Sequence, residues 1–232
     1  MTTIDENLQS VRQRIGRACA GAGRDVNEVT LLAVSKTFGP EAVRAAFSGG
    51  QKAFGENYIQ EAVDKIGALR DLPLQWHCIG PIQSNKARWV AAHFDWAHTI
   101  DRLKIAQRLS EQRRPDQPPL QVCIQVNIDG GATKAGVPPE AVLALAQEVA
   151  QLPRLALRGL MTIPEPAPDF AAQEAVHLRA KALFDRLRAE GLAIDTLSMG
   201  MSADLEAAIA AGSTMVRIGT AIFGTRPARG AR

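Results

Sequence analysis

The sequence predicts an α/β protein: a single (β/α)8 barrel of the TIM type with one extra helix ahead of its first strand. Three observations predict it. Eight short apolar runs alternate with eight helix-like stretches, the first of which precedes the first run. Several runs, such as Leu31-Leu32-Ala33-Val34 and Val122–Val126, are apolar without alternation, as strands are when helices cover the sheet. No linker or composition break divides the units, and 232 residues match the ~200–250 that such a barrel occupies. A doubly wound open sheet of similar length is the alternative that patterning alone leaves standing.

The leading helix, over about Ile4–Ala20, repeats apolar residues at Ile4, Leu8, Val11, Ile15 and Ala18 and is ended by the Gly21–Gly23 cluster. Residues 1–28 are thus an addition before the barrel. The strands are expected at Thr30–Ser35, Ala53–Gly55, Gln75–Ile79, Trp96–Thr99, Gln121–Asn127, Ala156–Met161, Thr196–Met199 and Thr214–Ile218. Helices are expected between them at Glu41–Ser48, Tyr58–Leu69, Asn85–His93, Arg102–Arg113, Pro139–Gln151, Asp169–Glu190 and Ser202–Ala211. Pro115–Pro119 and Pro164–Pro168 read as loops inside one domain spanning 1–232. Residues 225–232, with Arg226, Arg229 and Arg232, read as a flexible tail.

Composition narrows the function classes. At 46% hydrophobic residues and with mean hydropathy near zero, the chain is a soluble globular domain. Its three cysteines, Cys19, Cys78 and Cys123, form no CxxC pair and suggest neither a disulfide framework nor a zinc site, which fits a reducing cytoplasm. No apolar run spans a membrane and no signal peptide is read at the start. A net charge of +3, with acids among the bases, argues against nucleic-acid binding.

In a barrel the informative residues lie where strands end, because the C-terminal ends converge on one mouth. Lys36 follows four buried apolar positions and Ser35. Desolvated there, its amine would be nucleophilic and able to form a Schiff base; the alternative is a loop lysine that reaches solvent. Loops after strands seven and eight commonly hold phosphate. Ser198-Met199-Gly200-Met201-Ser202 and Arg217-Ile218-Gly219-Thr220 have that chemistry: glycines for close backbone approach, hydroxyls, and a fixed positive charge. Ser202 also reads as the N-cap of the helix carrying Leu205 and Ile209. An amine and a phosphate pocket across one mouth describe an aldehyde-bearing phosphate, of which pyridoxal 5′-phosphate (PLP) is the common case.

The segments Ala33-Val-Ser-Lys-Thr37, Phe54-Gly-Glu-Asn-Tyr58, Trp76-His-Cys-Ile-Gly-Pro81, Gln83-Ser-Asn-Lys86 and His98-Thr-Ile-Asp101 carry a resemblance. It continues through Gln125-Val-Asn-Ile128, Lys134, Gly136, Arg158-Gly-Leu-Met161, Ser198–Ser202 and Met215–Gly224. In this order they resemble the pyridoxal phosphate homeostasis protein family, related to the barrel of alanine racemase. The resemblance implies PLP fold type III with PLP covalent on Lys36, Arg217 facing the pyridine nitrogen, the 198–202 and 219–220 loops on the phosphate, and Asn57 and His77 lining the mouth. Cys78 and the loop Asp129–Thr133 alone look individual.

The resemblance further implies a carrier or regulator in vitamin B6 and amino-acid homeostasis. A weak PLP-dependent amino-acid racemase is the alternative, and a sugar-imine barrel enzyme is a second. Racemisation needs a proton-transferring group on each face of the substrate Cα. Tyr58 is the sole tyrosine, His77 is the other candidate base, and racemases of this barrel type bring the opposing tyrosine from a further domain and partner subunit, for which the sequence after strand eight leaves no room. Arginine at the pyridine nitrogen also disfavours its protonation and so mutes carbanion chemistry. The expectation is a monomer without catalytic activity, with apo-PLP enzymes as recipients. His93, His98 and His177 suggest no metal site and receive no role, His177 being read as a surface group. Lys134 is a surface lysine or a second amine at the mouth. Glu56 and Glu206 are candidates to anchor Arg217 or helix ends, and Cys78 and Cys123 are small core residues.

Overall fold

The computed structural model describes residues 2–131 and 134–225. Ala132 and Thr133 of the 129–133 loop, and the tail with Arg226, Arg229 and Arg232, lie outside the described residues. Eight parallel strands close into a barrel in sequential order. They are β1 (Thr30–Val34), β2 (Ala53–Glu56), β3 (Gln75–Cys78), β4 (Trp96–Ile100), β5 (Leu120–Val126), β6 (Leu155–Thr162), β7 (Thr196–Ser198) and β8 (Met215–Ile218). β1 pairs with both β2 and β8, which closes the ring and excludes the open sheet. Each strand lies within two residues of its expected place.

The helices are α1 (Ile4–Gly21), α2 (Pro40–Ser48), α3 (Ile59–Ala68), α4 (Ala87–His93), α5 (Leu103–Gln112), α6 (Val142–Ala150), α7 (Phe170–Ala189), α8 (Leu205–Ala210) and a short α9 (Thr220–Phe223). α1 begins with a capping box in which Thr3 Oγ1 accepts from the Glu6 amide and the Glu6 carboxylate accepts from the Thr3 amide. Its Leu8, Val11, Ile15 and Cys19 stripe is buried. Arg14 pairs with Glu206 of α8, which ties the added helix to the barrel's outer ring.

Strand side chains alternate between two cores. Outward residues such as Ala33, Phe54, Cys78, Val122, Leu160, Leu197 and Val216 join the helices in the main core. Inward residues form two small apolar clusters, Leu32, Val34, Ala53, Ile79 and Met215 in one and Trp96, Cys123 and Met161 in the other. Cys78 and Cys123 are fully buried, as expected of core residues, and burial pushes both thiols up to about 12. No helix among the described residues is long and apolar enough to cross a membrane.

Candidate functional site

Lys36 sits in the turn that leaves β1, half-buried. The next residue, Thr37, has φ of 69°, a left-handed conformation that a β-branched residue seldom adopts. A buried ionic cluster holds both of Lys36's chain neighbours in place. Lys65 Nζ on α3 donates to the Ser35 carbonyl at 2.9 Å and to Glu56 Oε1 at 2.6 Å. Ser35 Oγ donates to the same carboxylate oxygen at 2.6 Å, and the Thr37 amide donates to Glu61 Oε1 at 2.8 Å. Burial pushes the Glu56 carboxyl above the ordinary glutamate range, against the lowering effect of Lys65 and Ser35. Glu56 therefore anchors the Lys36 turn, while Glu206 pairs with Arg14, so of the two roles open to them in the sequence neither takes the one on Arg217.

Arg217 points into the barrel and is 4% exposed. Its Nη1 donates to Ser198 Oγ at 2.9 Å and its Nη2 to the Thr162 carbonyl at 2.8 Å. Burial draws its pKa down to about 10, so the guanidinium stays charged at neutral pH. Among the described residues no carboxylate lies within ion-pair distance of it. β8 lies beside β1 with Arg217 opposite Leu32, and a Cβ on Gly219 would stand 3.1 Å from the Val34 carbonyl, so this loop and the Lys36 turn adjoin.

The β7 and β8 loops are stitched together where the Arg217 amide donates to the Gly200 carbonyl at 3.0 Å. Gly200 has φ of 95°, and a Cβ there would fall 2.5 Å from that of Ala208, so the tight turn requires glycine. Ser202 does not cap α8. Asp204 holds the N-cap position, and its carboxylate accepts from the Met201 amide at 2.6 Å and contacts His177 Nε2 at 2.9 Å. Burial acts to raise the Asp204 carboxyl, but those two contacts outweigh it and leave the group below the ordinary aspartate value. His177 is 1% exposed, which corrects its reading as a surface group: on α7 it faces the β7 loop. Thr220 opens α9, with Gly219 at the N-cap.

Asn57 follows β2 at the same end, and its Oδ1 is buried without a partner, as are Thr37 Oγ1 and Thr162 Oγ1. His77 does not line the mouth. It is fully buried inside the barrel, stacked on Trp96 at 5.1 Å, because its position on β3 puts it one inward layer below the strand end. His77 Nδ1 lies 2.9 Å from His98 Nε2, and His98 Nδ1 lies 3.0 Å from Ser198 Oγ. Thus Lys36, Asn57, the 198–202 loop, Arg217, Gly219 and Thr220 share the C-terminal end of the barrel, and His77 reaches it only through His98. Lys134 pairs with Glu165 at 3.0 Å.

Sequence reasoning passed over His98, Lys65 and Asp204. Strand parity carried a signal for the first: His98 shares the inward parity of Trp96. Lys65 could be read from its place one turn after Ala62 on the buried face of α3, in line with Leu69 just past the helix end.

The chain matches the family described as alanine racemase, N-terminal domain, over residues 2–227. The pyridoxal phosphate homeostasis protein of Pseudomonas aeruginosa is 59% identical over 226 residues, 97% of each chain. That of Escherichia coli is 54% identical, covering 97% of this chain and 98% of the relative. Among solved structures, PipY of Synechococcus elongatus, in the form with PLP bound, has a TM-score of 0.83 at 36% identity, covering 96% of this chain and all of that one. Alanine racemase from Corynebacterium glutamicum has a TM-score of 0.72 at 18% identity over 62% of its own chain, and so shares the fold. With over half its residues identical to the homeostasis proteins across nearly their whole length, the chain belongs to the pyridoxal phosphate homeostasis protein family.

Proposed function

We propose that this protein binds PLP at the C-terminal mouth of the barrel, holds it as a Schiff base on Lys36, and serves PLP homeostasis with little or no catalysis of its own. The observation that carries this reading is Arg217, a buried cation with no carboxylate within ion-pair distance among the described residues, facing the same mouth as a lysine whose turn is pinned on both sides. The partnerless polar atoms of Thr37, Asn57 and Thr162 fit a polar ligand there, since buried hydroxyls and amides are nearly always satisfied. The PLP-bound PipY structure and the relatives' names support the same ligand. PLP, when bound, supplies an aldehyde that condenses with amines and a ring that can accept electron density.

The residues assign themselves simple tasks in this reading. The Glu56–Lys65–Glu61 cluster keeps the Lys36 backbone from drifting. Gly200, Ser202, Gly219 and Thr220 offer backbone amides and hydroxyls to the phosphate, Met201 shapes the same loop through the hydrogen bond its amide donates to Asp204, and Arg217 directs a donor at the ring nitrogen. That donor cannot give up a proton at neutral pH, which keeps the ring a poor electron sink. His77 is withdrawn from proton transfer, since both its ring nitrogens are engaged and burial lowers its pKa to about 3. Tyr58 stands 45% exposed on the rim at the start of α3. The protein acts as a monomer and passes PLP to apo-enzymes.

Adding PLP to the purified protein should develop a visible absorption band, and borohydride should then fix the mass of a pyridoxyl phosphate on the peptide containing Lys36. Lys36→Ala should abolish both. A wild-type preparation that cannot be coloured by PLP, or label on another lysine alone, overturns the assignment. Incubating the loaded protein with L-alanine in deuterated water should leave the Cα free of deuterium; appreciable exchange would overturn the reading of little or no catalysis, and D-alanine formed alongside it would favour the racemase.

A further inference from the structure

The barrel interior holds a continuous polar row that starts at Arg217 and whose inner members, His98 and His77, the binding reading does not use. From Arg217 it runs through Ser198 Oγ (2.9 Å), His98 Nδ1 (3.0 Å from that oxygen), His98 Nε2 to His77 Nδ1 (2.9 Å), and His77 Nε2 to Gln75 Oε1 (3.1 Å). Four strands contribute: β8, β7, β4 and β3. Ser198, His98 and His77 are each 0% exposed.

The arginine end dictates the direction of every bond along the row, and the glutamine end is compatible with it. Arginine only donates, so Ser198 Oγ accepts from Arg217. Among the described residues, the Ser198 hydroxyl proton then has one acceptor within reach, His98 Nδ1. A neutral imidazole that accepts at Nδ1 donates at Nε2, so His98 donates to His77 Nδ1, and His77 donates from Nε2 to the Gln75 carbonyl oxygen. That oxygen accepts only, so the far end agrees with the near one. Protonating either ring would set two donors against each other in the dry interior. The charged group facing His98 is Arg217 from β8, and Arg158 of β6 lies over the Trp96 ring on which His77 stacks, so added positive charge meets positive charge.

We propose that His98 and His77 are positioning residues: they form a one-way, uncharged hydrogen-bond chain that fixes how Arg217 and the Ser198 hydroxyl face the ligand at the mouth. Among the described residues no carboxylate bonds to Arg217, Asp204 acting on it only at longer range, and the chain, with the Thr162 carbonyl, orients the guanidinium without neutralising it. A carboxylate there would quench the charge that the ligand meets. Burial lowers the pKa of both rings, as a chain of neutral imidazoles requires.

The inference rests on the PLP reading only for its second test. The first uses protein without ligand, labelled with 15N-histidine. His77 and His98 should both show the tautomer protonated at Nε2 and hold it from about pH 5.5 to 8.5, below and above the ordinary histidine value. Ser198→Ala should change the His98 Nδ1 signal. A proton on His98 Nδ1, or titration of either ring near neutrality, overturns the chain.

The second test compares PLP absorbance and affinity in two substitutions. His98→Asn retains a polar atom near the Nδ1 position and so keeps Ser198's partner while cutting the link to His77, and should perturb the spectrum less than His98→Gln. His98→Gln retains one only near Nε2, and should shift the band and weaken PLP about tenfold or more. Equal behaviour of the two, in variants with wild-type circular dichroism, overturns the positioning role. Failure of the wild-type protein to colour with PLP would instead sink the proposed function, while the nitrogen signals still decide the chain.

Discussion

Single residues at this site are held by groups distant in sequence. Lys36 takes its geometry from Glu56, Glu61 and Lys65, two of which lie on α3. Lys65→Met leaves the Glu56 carboxyl buried without its cation and should cost about 3–5 kcal/mol in urea unfolding. Adding Glu56→Leu should recover much of that stability, because removing a buried pair together is close to neutral. PLP affinity should stay low in the double variant, since the Ser35 carbonyl has still lost its donor. Recovery of affinity together with stability would show that the cluster does not position Lys36. Gly200→Ala sets a methyl group against Ala208 at φ of 95°, so it should destabilise the protein by at least ~1 kcal/mol and weaken PLP binding together.

At the scale of elements, the β7–α8 connection is a small device built on Asp204. Its carboxylate ties the Met201 amide to His177, and so joins the candidate phosphate loop to α7. Asp204→Ala removes both acceptor contacts and should lower stability by about 1–3 kcal/mol, read in thermal unfolding at pH 7. The folded carboxyl lies below its ordinary value, so its contribution is present above the unfolded pKa and lost as pH falls through the folded one. The wild-type advantage over Asp204→Asn should therefore shrink in acid, and an advantage that grew below pH ~4 would contradict this account. α1 is an element of the core in its own right, and Leu8→Ala, at 0% exposure, should cost about 2–5 kcal/mol.

At the scale of the whole molecule, the barrel interior makes the protein sensitive to acid. His77 and His98 are neutral and buried in the fold and accept protons freely once unfolded. For such depressed groups, stability is complete above the unfolded value of about 6.5 and is lost as pH falls toward the folded one. Each should contribute a slope of up to ~1.4 kcal/mol per pH unit in that window. His98→Asn should flatten the acid limb of a urea-midpoint profile, and an unchanged limb would contradict the assignment. At this scale the architecture was legible beforehand: eight βα units, their order and the leading helix follow from runs of apolar residues whose periods are local.

The sequence by itself determined the eight βα units, their order and the polar residues at the strand ends, because apolar period, glycine and chain order are all local properties, while closure into a barrel in place of an open sheet was decided by the pairing of β1 with β8. The partners of those residues were decided only by closure of the sheet. Closure set β1 beside β8, turned Ser198, His98 and His77 into one inward row, gave Glu56 to Lys65 instead of Arg217, and drew His177 under the β7 loop. A hydrogen bond depends on distance and direction between groups a hundred or more residues apart, as from His98 to Ser198, and neither is written in the pattern of a single strand.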